Sequence, residues 1–113
     1  MNELRVNRER LWDSLMQMAE IGATENGGSC RLALSDEDKD GRDLFIDWFQ
    51  DEGCSIEIDR MGNIIATRAC RSNQPSVPTG NHLDPQTHVG RRTGVYGDWA
   101  ALDVITTFNV HHV

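Results

Sequence analysis

The sequence predicts an α/β fold, and two observations predict it. Apolar residues keep a helical period through the first half of the chain and again near its end, and between those stretches they switch to the two-residue period of a hairpin. The order that results is helix, helix, hairpin, strand, helix, as in part of an α/β layer structure.

Leu4, Leu11, Trp12, Leu15, Met18 and Ala19 recur at three- and four-residue steps, which predicts an amphipathic helix to about Ile21, stopped at Gly22. The stretch "GATENGGSCRLALSDEDKDG" reads as a long loop, with flexibility as the reading of its Gly27-Gly28 pair. Ser35 and Asp38 have the spacing of a capping box, and Asp36 and Glu37 put negative charge where the helix dipole favours it. A second helix therefore starts near Asp36. Its acidic start reads as a solvated end, Leu44, Phe45, Trp48 and Phe49 form its apolar face, and Gly53 is its C-cap. Ile56 and Ile58 then alternate with Glu57 and Asp59, a Met-Gly-Asn turn follows, and Ile64, Ile65 and Ala66 resume a strand. A Pro-containing linker leads to a short strand around Val77 to Gly80. Trp99, Leu102, Val104, Ile105 and Phe108 predict a third helix, mostly buried.

With 113 residues the chain holds one small domain at most. Its formal charge is −7, from 18 acidic and 11 basic residues, and no basic block stands out, which argues against nucleic acid or anionic lipid as partner. The charged start has no signal-like core, and no run nears the roughly 18 apolar residues of a membrane span, so the expected setting is soluble and cytoplasmic. Cys30, Cys54 and Cys70 are odd in number and widely spaced, which fits reduced packing thiols.

Chemistry concentrates in "TGNHLDPQTHVGRRTGVYGDWAALD", residues 79–103. His82 and Asp84 lie two apart, so in extended backbone they share a side. A neutral imidazole there binds a metal such as zinc, and the carboxylate fixes its ring and tunes the bound water. The competing reading is a loop His bonded to a nearby Asp. His88 reads as an exposed loop His, with a mononuclear site of His82, Asp84 and His88 as the alternative, and His111 and His112 lie at a frayed end.

The stretches "IGAT", "CRLALSD", "DRMGNI", "HLD" and "GVYG" together resemble the N-carbamoyl-L-amino-acid hydrolase, allantoate amidohydrolase and β-ureidopropionase group. These are dinuclear metal-dependent amidohydrolases related to the aminoacylase and carboxypeptidase family. The resemblance runs from about Arg10 to Asn109. It implies the N-terminal part of a three-layer, mixed-sheet metallohydrolase catalytic domain, incomplete over residues 1–113, with the C-terminal catalytic portion and the dimerisation domain absent. It also implies a ureido or amidino substrate, a homodimer, and zinc or manganese, with cobalt or nickel compatible with the same donors. His82 falls on a metal ligand of the group, and Asp84 on the catalytic carboxylate that orients it.

The chain departs from the group's pattern at Thr93, which stands where a bridging Asp is expected, with Arg92 beside it. A hydroxyl bridges two cations about 3.5–4 Å apart only when deprotonated. Asp98, the nearest other carboxylate, is five residues on and is not expected to reach the same point. The general base, its neighbouring Glu ligand and the further His ligands of the group come after the last residue here. The resemblance therefore implies a hydrolase of non-peptide carbon–nitrogen bonds that is inactive as this chain alone. The alternative is a non-catalytic fragment that packs against a partner chain and exposes apolar surface.

Overall fold

In the computed structural model, which describes residues 3–69, 73–84 and 96–112, the elements are α1 (Arg8–Glu20), α2 (Asp36–Asp51), β1 (Ser55–Ile58), β2 (Ile64–Thr67) and α3 (Tyr96–Val110). This is the expected α/β character, as part of a domain.

Local chemistry sets each boundary. The side chain of Asn7 accepts from the Arg10 amide at 2.9 Å and opens α1, filling a donor that the helix leaves unpaired. Helix α1 closes where Ile21 turns extended, its N–H bonding back to the Met18 carbonyl, and Gly22 follows at φ +74°. Ser35 Oγ accepts from the Asp38 amide at 3.1 Å and starts α2. The reciprocal arm of the cap runs one residue further back than in a capping box: the Asp38 carboxylate accepts from the Leu34 amide at 3.1 Å. Gly53 ends α2 at φ +82°.

Strands β1 and β2 pair antiparallel from Ser55 opposite Thr67 to Ile58 opposite Ile64. The Asp59 carboxylate ties their turn, accepting from the amides of Met61 and Asn63 and from the Asn63 side chain at 2.8–2.9 Å. These bonds hold the carboxyl below its ordinary range, the Asn63 side chain contributing most.

The core lies where the three helices meet. Leu15 and Met18 of α1, Phe45 and Phe49 of α2, and Trp99 and Leu102 of α3 are buried, Trp99 and Met18 completely. Trp99 meets Trp48 edge-on at 4.8 Å and Phe45 at 5.8 Å between centroids, so α3 docks on α2 through one aromatic cluster. A polar clamp fastens α3 to α1. The buried Asp103 carboxylate accepts from Arg10 Nε at 2.5 Å and from the Asn7 amide at 2.8 Å, while Arg10 Nη2 donates to Thr107 Oγ1 at 3.0 Å. Next to it, Asn109 donates to the Glu52 carbonyl at the end of α2 and accepts from Arg68, whose guanidinium lies over the Phe108 ring.

The structure corrects several expectations. Leu4 precedes α1, and both it and Trp12 are well exposed, so the buried stripe is narrower than the apolar spacing implied. Residues 77–80 are irregular, not a strand: Pro75 and Pro78 cannot donate to a ladder, and Val77 is 94% exposed. Gly27 is held rather than loose, at φ +76° in a turn closed by its amide on the Thr24 carbonyl and by the Gly28 amide on Thr24 Oγ1. The acidic start of α2 is not wholly solvated, since Asp38 is buried. Of the thiols, Cys54 is buried in the core and Cys30 half-buried, while Cys70 lies outside the described residues.

Two glycines with positive φ separate backbone strain from collision. A Cβ on Gly22 would sit 2.2 Å from the Cys30 carbonyl oxygen, whereas one on Gly53 meets nothing within 4 Å. Gly53→Ala is expected to cost about 1 kcal/mol from the left-handed backbone alone, and Gly22→Ala at least about 2 kcal/mol more. Urea denaturation of the two variants measures this, and equal midpoints would refute the close approach at Gly22.

Candidate functional site

The candidate site is assembled from residues 81–84 and the first turn of α3. Leu83 anchors the loop by packing on the hydrophobic core, leaving His82 and Asp84 on either side of it half-exposed. The His82 Nδ1 atom lies 3.0 Å from the Asp84 backbone carbonyl and 3.6 Å from its carboxylate. The carbonyl can only accept, so Nδ1 carries the proton in this contact and the lone pair of the neutral ring is on Nε2. At 3.6 Å the carboxylate is beyond hydrogen-bond length. The ring is thus oriented mainly by the backbone of Asp84, with the carboxylate supplying negative charge nearby.

Gly97 brings α3 against this loop. A Cβ there would lie 2.7 Å from Asn81 Nδ2, the end of an exposed side chain, so the helix start lies against the residue before His82 and a larger residue would push that amide aside. The next residue, Asp98, has one carboxylate oxygen buried with no hydrogen-bond partner among the described residues. Burial pushes its pKa up from 3.8 to about 6, and the nearby His82 pulls it partly back. Asp98 is therefore close enough to His82 to feel its charge, while the bridging position of Thr93, which Asp98 is not expected to reach, lies outside the described residues. The approach comes from the helix start folding back on the loop.

Thr93, Arg92 and His88 lie outside the described residues. His111 and His112 follow the last turn of α3 and are exposed. Among the described residues, no group of three or more His, Cys, Asp or Glu side chains is placed to hold a metal ion. A separate acidic groove of about 550 Å³, lined by Glu9, Asp13, Asp51, Glu52 and Asp103 among others, shares no residue with the His82 loop.

Sequence reasoning missed Arg31. It is 1% exposed, and its Nη1 donates to the carbonyls of Met18 and Ile21 and to Ser29 Oγ at 2.7–3.0 Å, while Nη2 donates to the Leu83 carbonyl at 3.3 Å. Burial lowers its pKa, and the charge of Asp38 offsets part of that. The one signal in the sequence was a lone basic residue between Cys30 and Leu32 in the loop from α1 to α2, a position that ordinarily implies a solvent-facing charge.

No protein-family model matches the chain. It is 42% identical over 107 residues to an N-carbamoyl-L-amino-acid amidohydrolase of Rhizobium meliloti, covering 93% of this chain and 26% of that protein. To the N-carbamoyl-L-amino acid amidohydrolase of Geobacillus stearothermophilus it is 31% identical, over 96% of this chain and 27% of the relative. Among solved structures, a hydantoinase/carbamoylase-family amidase from Burkholderia vietnamiensis superposes with a TM-score of 0.95 at 46% identity, over 100% of this chain and 28% of that one. The chain spans about a quarter of the length of the relatives it matches. In sequence and in fold the chain is similar, over nearly its whole length, to a segment of N-carbamoyl-L-amino-acid amidohydrolases and hydantoinase/carbamoylase-family amidases.

Proposed function

We propose that this chain supplies one part of the metal-dependent active site of a hydrolase that cleaves a non-peptide carbon–nitrogen bond in an N-carbamoyl amino acid or a related ureido or amidino compound. The observation that carries the reading is a His82 ring whose Nδ1 is engaged by Asp84 and whose Nε2 is left for a ligand, in a chain that matches carbamoyl-amino-acid hydrolases along nearly its whole length. Residues 1–113 are on this view a partial catalytic domain, and the remaining ligands, the general base and the dimerisation surface of a homodimer belong to other parts of the complete, cytoplasmic enzyme.

The donors present fit part of a divalent-metal site. His82 would hold zinc or manganese through Nε2, Asp84 would fix the ring from behind, and the orphaned buried oxygen of Asp98 is a carboxylate in want of a cation. A metal bound there supplies Lewis acidity and lowers the pKa of its water. The chain's own residues present an oriented imidazole and keep negative charge beside it. Asp84 would act by orienting His82, and with Thr93 in the chain in place of a bridging carboxylate, Asp98 is the described acid best placed to add charge.

A second reading, a non-catalytic segment that packs against a partner chain, draws support from exposed apolar side chains: Leu34 at 99%, Met61 at 87% and Ile58 at 58%. Among the described residues the sheet has only two strands, so their outer edges are unpaired.

Calorimetric titration of the chain with Zn²⁺ and Mn²⁺ tests the first reading. Submicromolar binding that His82→Ala weakens by more than about tenfold is expected; heats that the substitution leaves unchanged would sink it and favour the second.

Asp98 gives an independent check through pH. An acid whose pKa is higher in the folded state than in the unfolded chain stabilises the fold when protonated. That contribution is complete below 3.8 and is lost as pH rises through about 6. Asp98→Asn is therefore expected to melt higher than the parent chain at about pH 7.5 and at the same temperature near pH 4, with saturating Zn²⁺ narrowing the gap at the higher pH. A difference that does not change with pH in thermal scans would contradict the buried, unpaired carboxylate.

A further inference from the structure

We infer that Arg31 is a positioning residue for the His82–Asp84 loop, acting through the Leu83 carbonyl. Helix α1 has no basic residue in its last turn, so its terminal carbonyls lack a local cationic partner. Arg31 reaches them from the following loop: Nη1 caps Met18 and Ile21 and is itself steadied by Ser29 Oγ. With that nitrogen fixed, the rigid plane of the guanidinium fixes the direction of Nη2, which points at Leu83. The Leu83 carbonyl belongs to the peptide unit joining Leu83 to Asp84, and Asp84 in turn supplies the carbonyl that orients the His82 ring. The C-terminus of α1 and the imidazole are thus connected through one side chain.

The surroundings are built for this arginine. Gly41, inside α2 where Gly is otherwise costly, lacks the Cβ that would stand 3.3 Å from Arg31 Cδ and 3.4 Å from Met18 Sδ, a close fit that a shift of a few tenths of an ångström would relieve. Gly22 likewise leaves room beside Arg31 Cγ. Asp38, buried on α2, supplies compensating charge. Lysine keeps the charge but has one nitrogen, which cannot serve the α1 carbonyls and Leu83 together. A purely structural cap would need only the Nη1 contacts; the Nη2 bond is what extends the network to the loop.

The inference rests on the proposed role of His82, and its test separates the two. The full chain and its Arg31→Met, Arg31→Lys and Gly41→Ala variants are compared by ¹H–¹⁵N spectra of the His82 ring and by Zn²⁺ titration. The parent is expected to show the Nδ1–H tautomer. Both Arg31 variants should show a mixed tautomer and a zinc affinity about 10-fold lower, the loss typical of removing a group that orients a ligand. Gly41→Ala touches neither His82 nor Leu83; it should perturb the His82 signals through the displaced Arg31, and it decides the matter if the Arg31 variants fail to fold. Folded variants whose His82 signals match those of the parent would overturn the inference. Absence of zinc binding in the parent, with His82 signals that still respond to Arg31, would remove the metal reading and leave the positioning role standing.

Discussion

Burying a guanidinium is costly, and in this chain Arg31 offsets the cost through its two terminal nitrogens, while its buried Nε–H finds no partner among the described residues. Arg31 pays for its desolvation with three carbonyls and a hydroxyl drawn from α1, the loop after it and residue 83. Meeting those acceptors ties down the end of α1, packs Arg31 closely against Gly41 of α2, and brings the loop bearing His82 to the same place. Without the cation, the Met18 and Ile21 carbonyls would keep only the Ile21 amide and the Ser29 hydroxyl as donors among the described residues, and the part-buried Leu83 carbonyl would lose its tie to α1.

The other side of the loop is held by different physics. Trp99 inserts between Trp48 and Phe45, and the Arg10–Asp103 clamp pins α3 along α1. Helix α3 is thereby fixed in position, and Gly97 lets its first turn close on Asn81. The His82 loop is bracketed between a polar contact from Arg31 and a steric one from α3. Precise presentation of one imidazole is what a ligand-binding role asks of its support; one bracket lies on α3, and the other is a loop arginine tied to the end of α1.

Much of this was legible in the sequence. The caps at Ser35 and Gly53 and the switch of period into the hairpin depend on neighbours in the chain, and there local chemistry and fold agree. What was not legible depends on contacts across the chain. Little adjacent to Arg31 marks it as buried, because three of its four partners lie 10 to 52 residues away. The approach of Asp98 to His82 depends on the return of α3, which sequence distance does not show. Val77 and its neighbours had strand-like composition, but the prolines on either side of Val77 remove amide donors that a ladder needs. The motif around His82 was recognisable, whereas the reason its ring faces as it does resides in a carbonyl, and main-chain atoms leave no trace in a residue pattern.

The central claim is that one buried cation couples the end of α1 to the loop that carries His82, and the state of that cation is directly observable. Low-temperature ¹H–¹⁵N spectra of the Arg31 side chain should show individually resolved, slowly exchanging Hη protons with cross-relaxation to Ile21 and Leu83. A single averaged Hη signal exchanging at the rate of a solvated arginine, with no contact to Leu83, would contradict the account.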